Sequence, residues 1–153
     1  MNNTAKKILS PAEIANISSR YLSEGRKEDV WEITHVEICG ESLTAKVRMV
    51  SYYVSPTDDV GFHLTSFSTL EFLSQLFIIY GHVLGGLTKK TREGWMLESS
   101  ISCKKAIRDP ENIAVEMNFR TLKQMRGSLI GIANAKVYDQ DGLFLARIKA
   151  ILA

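Results

Sequence analysis

Polar and apolar residues alternate in two different ways along this chain, and the switch between them marks its organisation. From Val30 the period is two: Trp31, Ile33, His35 and Glu37 alternate with Glu32, Thr34, Val36 and Ile38. The β-branched and aromatic content favours a strand. Cys39-Gly40-Glu41-Ser42 reads as a hairpin turn, after which Leu43, Ala45, Val47 and Met49 alternate with Thr44, Lys46, Arg48 and Val50. Residues 55–65, SPTDDVGFHLT, form a loop rich in turn formers. Beyond residue 86 four more strand-like runs are expected, at 94–107, 113–120, 128–138 and 143–152. The third carries Gly131, Ala133 and Ala135, as a sheet passing close over a helix requires. Asp109-Pro110-Glu111-Asn112 and Asp139-Gln140-Asp141-Gly142 supply turns between them.

The exception to this period is residues 66–86, SFSTLEFLSQLFIIYGHVLGG. Its apolar residues leave one thin polar stripe, Ser68, Glu71, Gln75 and His82 with Ser74 beside it, at helical spacing. A helix apolar on nearly every side is a buried helix. Ser68 to Glu71 has the form of a capping box, and Gly85-Gly86 suits a left-handed C-cap. A shorter amphipathic helix is expected to start at Ser10-Pro11-Ala12-Glu13 and end near Gly25, with Ile14, Ile17, Tyr21 and Leu22 on one face. Residues 1–9 read as a flexible tail and 10–153 as one domain. Helix, two strands, long helix and four strands joined by tight turns imply an α+β fold, with a curved antiparallel sheet wrapped around one central helix.

Composition narrows the function. The 153 residues are 45% hydrophobic and 24% charged, as in an ordinary globular protein. Net charge is +2, and the runs Lys89-Lys90-Thr91-Arg92 and Lys104-Lys105 are short and lack interleaved aromatics, which argues against a nucleic-acid surface. Cys39 and Cys103 form no CxxC pair, so a reduced, cytoplasmic protein is expected, with Cys103 an inert core thiol. The three histidines lack ligand-like spacing, so neither metal nor cofactor is expected. Residues 66–86 come nearest to a membrane span, but Glu71, Gln75 and His82 argue for a protein interior. His82 reads as a partner for a C-terminal carbonyl.

The order of elements, with the central apolar helix entered from a loop, resembles the hotdog fold. Within it Glu71-Phe-Leu-Ser-Gln75 is similar to the E-x-x-x-Q segment of the 3-hydroxyacyl-ACP dehydratases of fatty-acid synthesis. Those enzymes also use a loop histidine, for which His63 is the counterpart here, in a loop without their proline pattern. A second resemblance, to FcoT-type long-chain acyl-CoA thioesterases, runs through Gly61-Phe62-His63, Gln75-Leu76, Gly94-Trp95 and the Asp139–Gly142 hairpin. Tyr53 or Tyr52 then stands where that family places a tyrosine, while Thr65 and Ser74 replace its asparagines.

These resemblances imply chemistry on acyl thioesters carried by coenzyme A or an acyl carrier protein, in a homodimer or larger homo-oligomer with sites at the subunit interface. The N-terminus of the central helix would offer N–H groups near Thr69 to Glu71 to the oxyanion, with Ser68 and Leu70 beside them. Glu71 would activate water or attack directly, Gln75 would orient it, and His63 would be a second acid–base group. Tyr53 and Ser74 would offer hydrogen bonds. The acyl chain would run along Leu76, Phe77 and Tyr80. Thioester hydrolysis is the leading expectation. The alternatives are dehydration of a 3-hydroxyacyl thioester by His63 and Glu71, and an acyl- or carrier-binding protein without catalysis. Glu71 can also serve merely as a capping residue.

Overall fold

The computed structural model describes residues 6–153. Of the expected tail, residues 1–5 lie outside the described residues. Ser10 starts helix α1 (Pro11–Ile17) with both capping-box bonds in place: Glu13 N–H donates to the Ser10 hydroxyl, and Ser10 N–H to the Glu13 carboxylate. The expected single helix to Gly25 is interrupted. Ser18 is extended, and its hydroxyl donates to the Ile14 carbonyl, the local bond by which serine competes with the helix. A short α2 (Arg20–Ser23) and a 3₁₀ turn (Gly25–Glu28) follow.

The sheet has six strands: β1 (Val30–Cys39), β2 (Ser42–Ser51), β3 (Gly94–Lys105), β4 (Ile113–Met125), β5 (Ser128–Tyr138) and β6 (Leu143–Leu152). Their order is β1-β2-β4-β5-β6-β3, with every neighbouring pair antiparallel. The alternation read from sequence sets the faces. Leu43, Ala45, Val47 and Met49 of β2 and Ile113, Val115, Met117 and Phe119 of β4 all point into the core. β4 runs further than its alternation suggested. It turns at Arg126 and Gly127, both with positive φ, as a two-residue hairpin of this hand requires.

Helix α3 (Ser66–Leu84) lies on the concave face of the sheet. Phe72, Leu73, Leu76, Phe77 and Tyr80 fill the core beneath it. The small residues of β5 do what their pattern implied. Gly131 passes so close that a Cβ there would stand 3.0 Å from the Phe77 ring and 2.7 Å from Leu122. At the C-terminus the Gly86 N–H donates to the Val83 carbonyl and the Leu87 N–H to that of His82, with Gly86 at φ +68. This is a complete Schellman motif.

Three expectations change. The N-cap of α3 is Thr65, whose hydroxyl accepts from the Ser68 N–H at 3.2 Å, so the Ser68–Glu71 capping box does not form. Thr65 is itself a good cap, and it starts the helix one turn before Ser68 becomes eligible. Second, α3 is not wrapped on all sides. The sheet ends at β1 and β3, both of which touch the helix, and Phe67, Glu71, Gln75 and Val83 remain exposed. Third, Cys103 is exposed. Register shifts at Met96/Glu98 and Cys103/Lys105 alter the facing of β3, and Met96 packs on the core while Trp95 and Leu97 point outward, 55% and 50% exposed. By length and composition α3 could cross a membrane, but half of its most apolar stretch is buried in this fold.

Candidate functional site

Glu71 sits six residues after the N-cap, on the uncovered strip of α3. Its carboxylate is held from the sheet: the Trp31 Nε1–H donates to Glu71 Oε2 at 3.2 Å. Trp31 comes from β1, and its ring meets Phe72 edge-on at 6.0 Å. A residue buried under the helix thus fixes an indole, and the indole aims a carboxylate along the open face. Gln75 is exposed one turn further on, on the same strip. The first-turn N–H groups of Ser66 and Phe67 precede the helical ladder, which begins with the Thr69 N–H donating to the Thr65 carbonyl. Thr69 to Glu71, the expected oxyanion donors, are therefore committed within the helix. The Ser66 and Phe67 N–H groups stand ahead of that ladder.

The loop before α3 carries a second acid–base pair. The His63 Nδ1 lies 3.1 Å from Asp58 Oδ2, and Arg108 Nη1 is 4.0 Å from the same oxygen. The Asp58 carboxyl is held below its ordinary range, first by the Val60 N–H and then by the His63 hydrogen bond, against the opposing effect of burial. The pairing leaves Nε2 of His63 turned outward from the pair. Phe62 and Leu64, on either side, are buried, and the Leu64 N–H donates to the Ile107 carbonyl, so His63 is held at the surface of an anchored loop. Among the described residues no hydrogen bond joins His63 to Glu71.

The remaining predicted site residues lie elsewhere. Phe77 and Tyr80 do not line an open wall. Both are sealed in the core, where Tyr80 stacks on Phe119 at 3.7 Å and donates to the Gly40 carbonyl. Ser68 and Thr69 are buried, and the Thr69 hydroxyl donates to the Thr65 carbonyl. Ser74 turns its hydroxyl back to the Leu70 carbonyl, and Leu70 packs against the core. Tyr53 rests its ring against Gly25 and beside Tyr21 at 5.8 Å, while its N–H donates to Asp29. Its role in this structure is to seat the N-terminal segment. Sequence reasoning missed Trp31 and Asp58. Nothing local marks Trp31, which is forty residues from Glu71 in the chain. Asp58 had a weak sign, an acid five residues before the loop histidine.

His82, the buried end of the polar stripe, is fully occupied. Nε2 accepts from the Thr91 and Arg92 N–H groups at 3.1 and 3.3 Å, so Nδ1 carries the proton and donates to the Ile78 carbonyl at 2.8 Å. It fastens the loop after α3 to the helix. Among the described residues no three His, Cys, Asp or Glu side chains converge as a metal site.

No family model matches this sequence, and no curated protein matches it. Solved structures do share its architecture. A thioesterase of Haemophilus influenzae superposes with a TM-score of 0.56 at 10% identity, over 97% of this chain and 93% of its own. A Pseudomonas aeruginosa thioesterase, solved as a mutant, gives 0.55 at 15% identity over 84% of each chain. The chain has the hotdog fold. At these identities the likeness is one of fold. A mutant thioesterase of Staphylococcus aureus is similar over 88% of this chain and 98% of its own, with a TM-score of 0.51 at 10% identity.

Proposed function

We propose that this hotdog protein hydrolyses acyl thioesters borne by coenzyme A or by an acyl carrier protein. The observation that carries the reading is the Trp31–Glu71 hydrogen bond, which aims a carboxylate along the uncovered face of α3 one turn from Gln75. That the solved structures sharing this fold are thioesterases supports it. Glu71 takes a proton from a water held with Gln75 as the oxygen attacks the thioester carbonyl carbon. The oxyanion that develops faces the Ser66 and Phe67 N–H groups at the positive end of α3. The C–S bond then breaks, the carboxylic acid departs, and the proton passes to the thiolate.

The test is thiol release from a panel of acyl-CoAs of increasing chain length. Hydrolysis at one or more lengths is expected, with kcat lowered about 10²–10⁴-fold in Glu71→Gln. Intact protein that releases no thiol from any of them, or that is indifferent to Glu71→Gln, overturns the reading. The Asp58–His63 pair favours a second one, dehydration of a 3-hydroxyacyl thioester with His63 as the base. An enoyl product from that substrate would distinguish it.

The working unit in this reading is a homodimer. β3 is an edge strand with its outer hydrogen-bonding row unpaired in the single chain, and it exposes Trp95 and Leu97. Pairing β3 with its copy removes the edge and brings two open α3 faces to one seam. Light scattering that finds a monomer at micromolar concentration would rule the arrangement out.

A further inference from the structure

A cavity of about 220 Å³ lies beside the second half of α3. Gln75 stands in its wall, which puts the cavity one helical turn from Glu71. Ile79, Val83 and Leu87 give it an apolar side, and Lys89 and Lys90 join them from the loop that follows the helix. That loop is not loose. The two N–H groups bound by His82 Nε2 fasten it, and Lys90 is tied to Glu93.

We propose that this cavity takes the phosphate-bearing arm of the thioester carrier, with Lys89 and Lys90 meeting the phosphate. The inference rests on the thioester reading above. Glu71 and His82 are separated by roughly 16 Å along the helix axis at its normal rise. A phosphopantetheine arm, about thirteen bonds from sulfur to phosphorus, reaches a similar distance when extended. With its sulfur at Glu71 the arm passes Gln75, whose amide matches the arm's amides. Its methyl-bearing section meets Val83 and Leu87, and its phosphate arrives at the lysines. An acyl tail fits the same space poorly, because it would desolvate the Lys89 ammonium without pairing it and strip water from the Lys90–Glu93 ion pair. The C-terminal end of a helix repels an anion. Of the residues lining the cavity, Lys89 and Lys90 supply the positive charge a phosphate needs, so removing both should be felt directly.

One acyl group on three carriers tests this: coenzyme A, acyl carrier protein, and N-acetylcysteamine, whose short arm ends before any phosphate. In the double variant Lys89→Gln/Lys90→Gln, KM for a phosphate-bearing thioester rises about tenfold while kcat holds, as two partly screened charge pairs allow. KM for the N-acetylcysteamine thioester does not move. A rise for acyl-CoA alone names the free coenzyme as the source of the phosphate, and a rise for the protein-borne thioester alone names the carrier protein. An equal rise on the truncated substrate, or no rise on either phosphate-bearing one, overturns the proposal. A binding measurement separates this site from the reaction. Glu71→Gln protein is titrated with 4′-phosphopantetheine and with pantetheine, with and without the two lysines. A lysine-dependent preference for the phosphorylated arm, when the native protein cleaves no thioester, upholds the site and sinks the hydrolase reading. Turnover without that preference sinks the site and leaves the hydrolase reading standing.

Discussion

The two faces of α3 are cut from one apolar helix, yet the sheet covers only one of them. On the closed face Phe72, Leu73 and Leu76 are wholly buried, and β5 is thinned to Gly131 where the Phe77 ring passes. On the open face Glu71 and Gln75 stand among Phe67 and Val83, with no strand across them. Six strands do not close around the helix, and the uncovered strip runs between the edges β1 and β3. The polar stripe that looked anomalous in a buried helix therefore divides. Ser68 and His82 are buried, and His82 spends both ring nitrogens on structure, whereas Glu71 and Gln75 remain exposed.

The sharpest way to break this comparison is to mutate neighbours on opposite faces. Phe72→Ala opens a cavity under the helix and should cost about 3–5 kcal/mol of unfolding free energy. Glu71→Gln, one residue away, should change stability by no more than about 0.5 kcal/mol while removing the proposed base. Denaturant unfolding and thiol release on the same two proteins decide it. If Glu71→Gln unfolds the chain as readily as Phe72→Ala does, Glu71 is a structural residue and the open face has lost its function.

The closed face was legible in the sequence and the open face only partly so. Period-two alternation located all six strands, and the Gly-Ala pattern of β5 announced the close approach to α3. These signals are local and repeat over many residues. The helix began where expected, at residue 66, but its cap was misassigned, because Thr65 and Ser68 are both eligible caps. Cys103 was misread because strict alternation does not decide how far the core covers an edge strand. The uncovered strip depends on how far the sheet curls, which no short stretch encodes. Trp31 lies beyond any local pattern, since its tie to Glu71 exists only once β1 is laid beside the helix.

His82 sharpens the contrast within the polar stripe. His82→Leu keeps an apolar body in place but leaves the Thr91 and Arg92 N–H groups and the Ile78 carbonyl without their imidazole partner. The expected loss is about 1–3 kcal/mol by thermal or chemical unfolding. Amide exchange of Thr91 and Arg92 should quicken more than that of β5. A variant as stable as the parent, with those amides still protected, would show that the loop holds itself. A Gln75→Leu variant, on the open end of the stripe, should leave stability within about 0.5 kcal/mol.

The smallest effect concerns the N-terminal segment, which reaches the start of α3 through Tyr21. Its hydroxyl donates to Asp29 Oδ2 at 2.8 Å and lies 3.1 Å from the Thr65 hydroxyl, the cap of the helix. Burial pushes the phenol up from its ordinary 10.0 to about 12, and the Asp29 carboxylate adds to the rise against the lowering by Thr65. The folded state therefore favours the neutral phenol more than the unfolded chain does. Its contribution is fully present below pH 10.0 and is lost as pH rises through about 12. Unfolding midpoints measured from pH 8 upward should fall more steeply in this alkaline window for the native chain than for Tyr21→Phe, which has no proton to lose there. Equal slopes would mean that the Tyr21–Asp29 bond does not hold the segment on the helix cap. The comparison would then reduce to the sheet alone, with nothing from the N-terminus shaping the entrance to the open face.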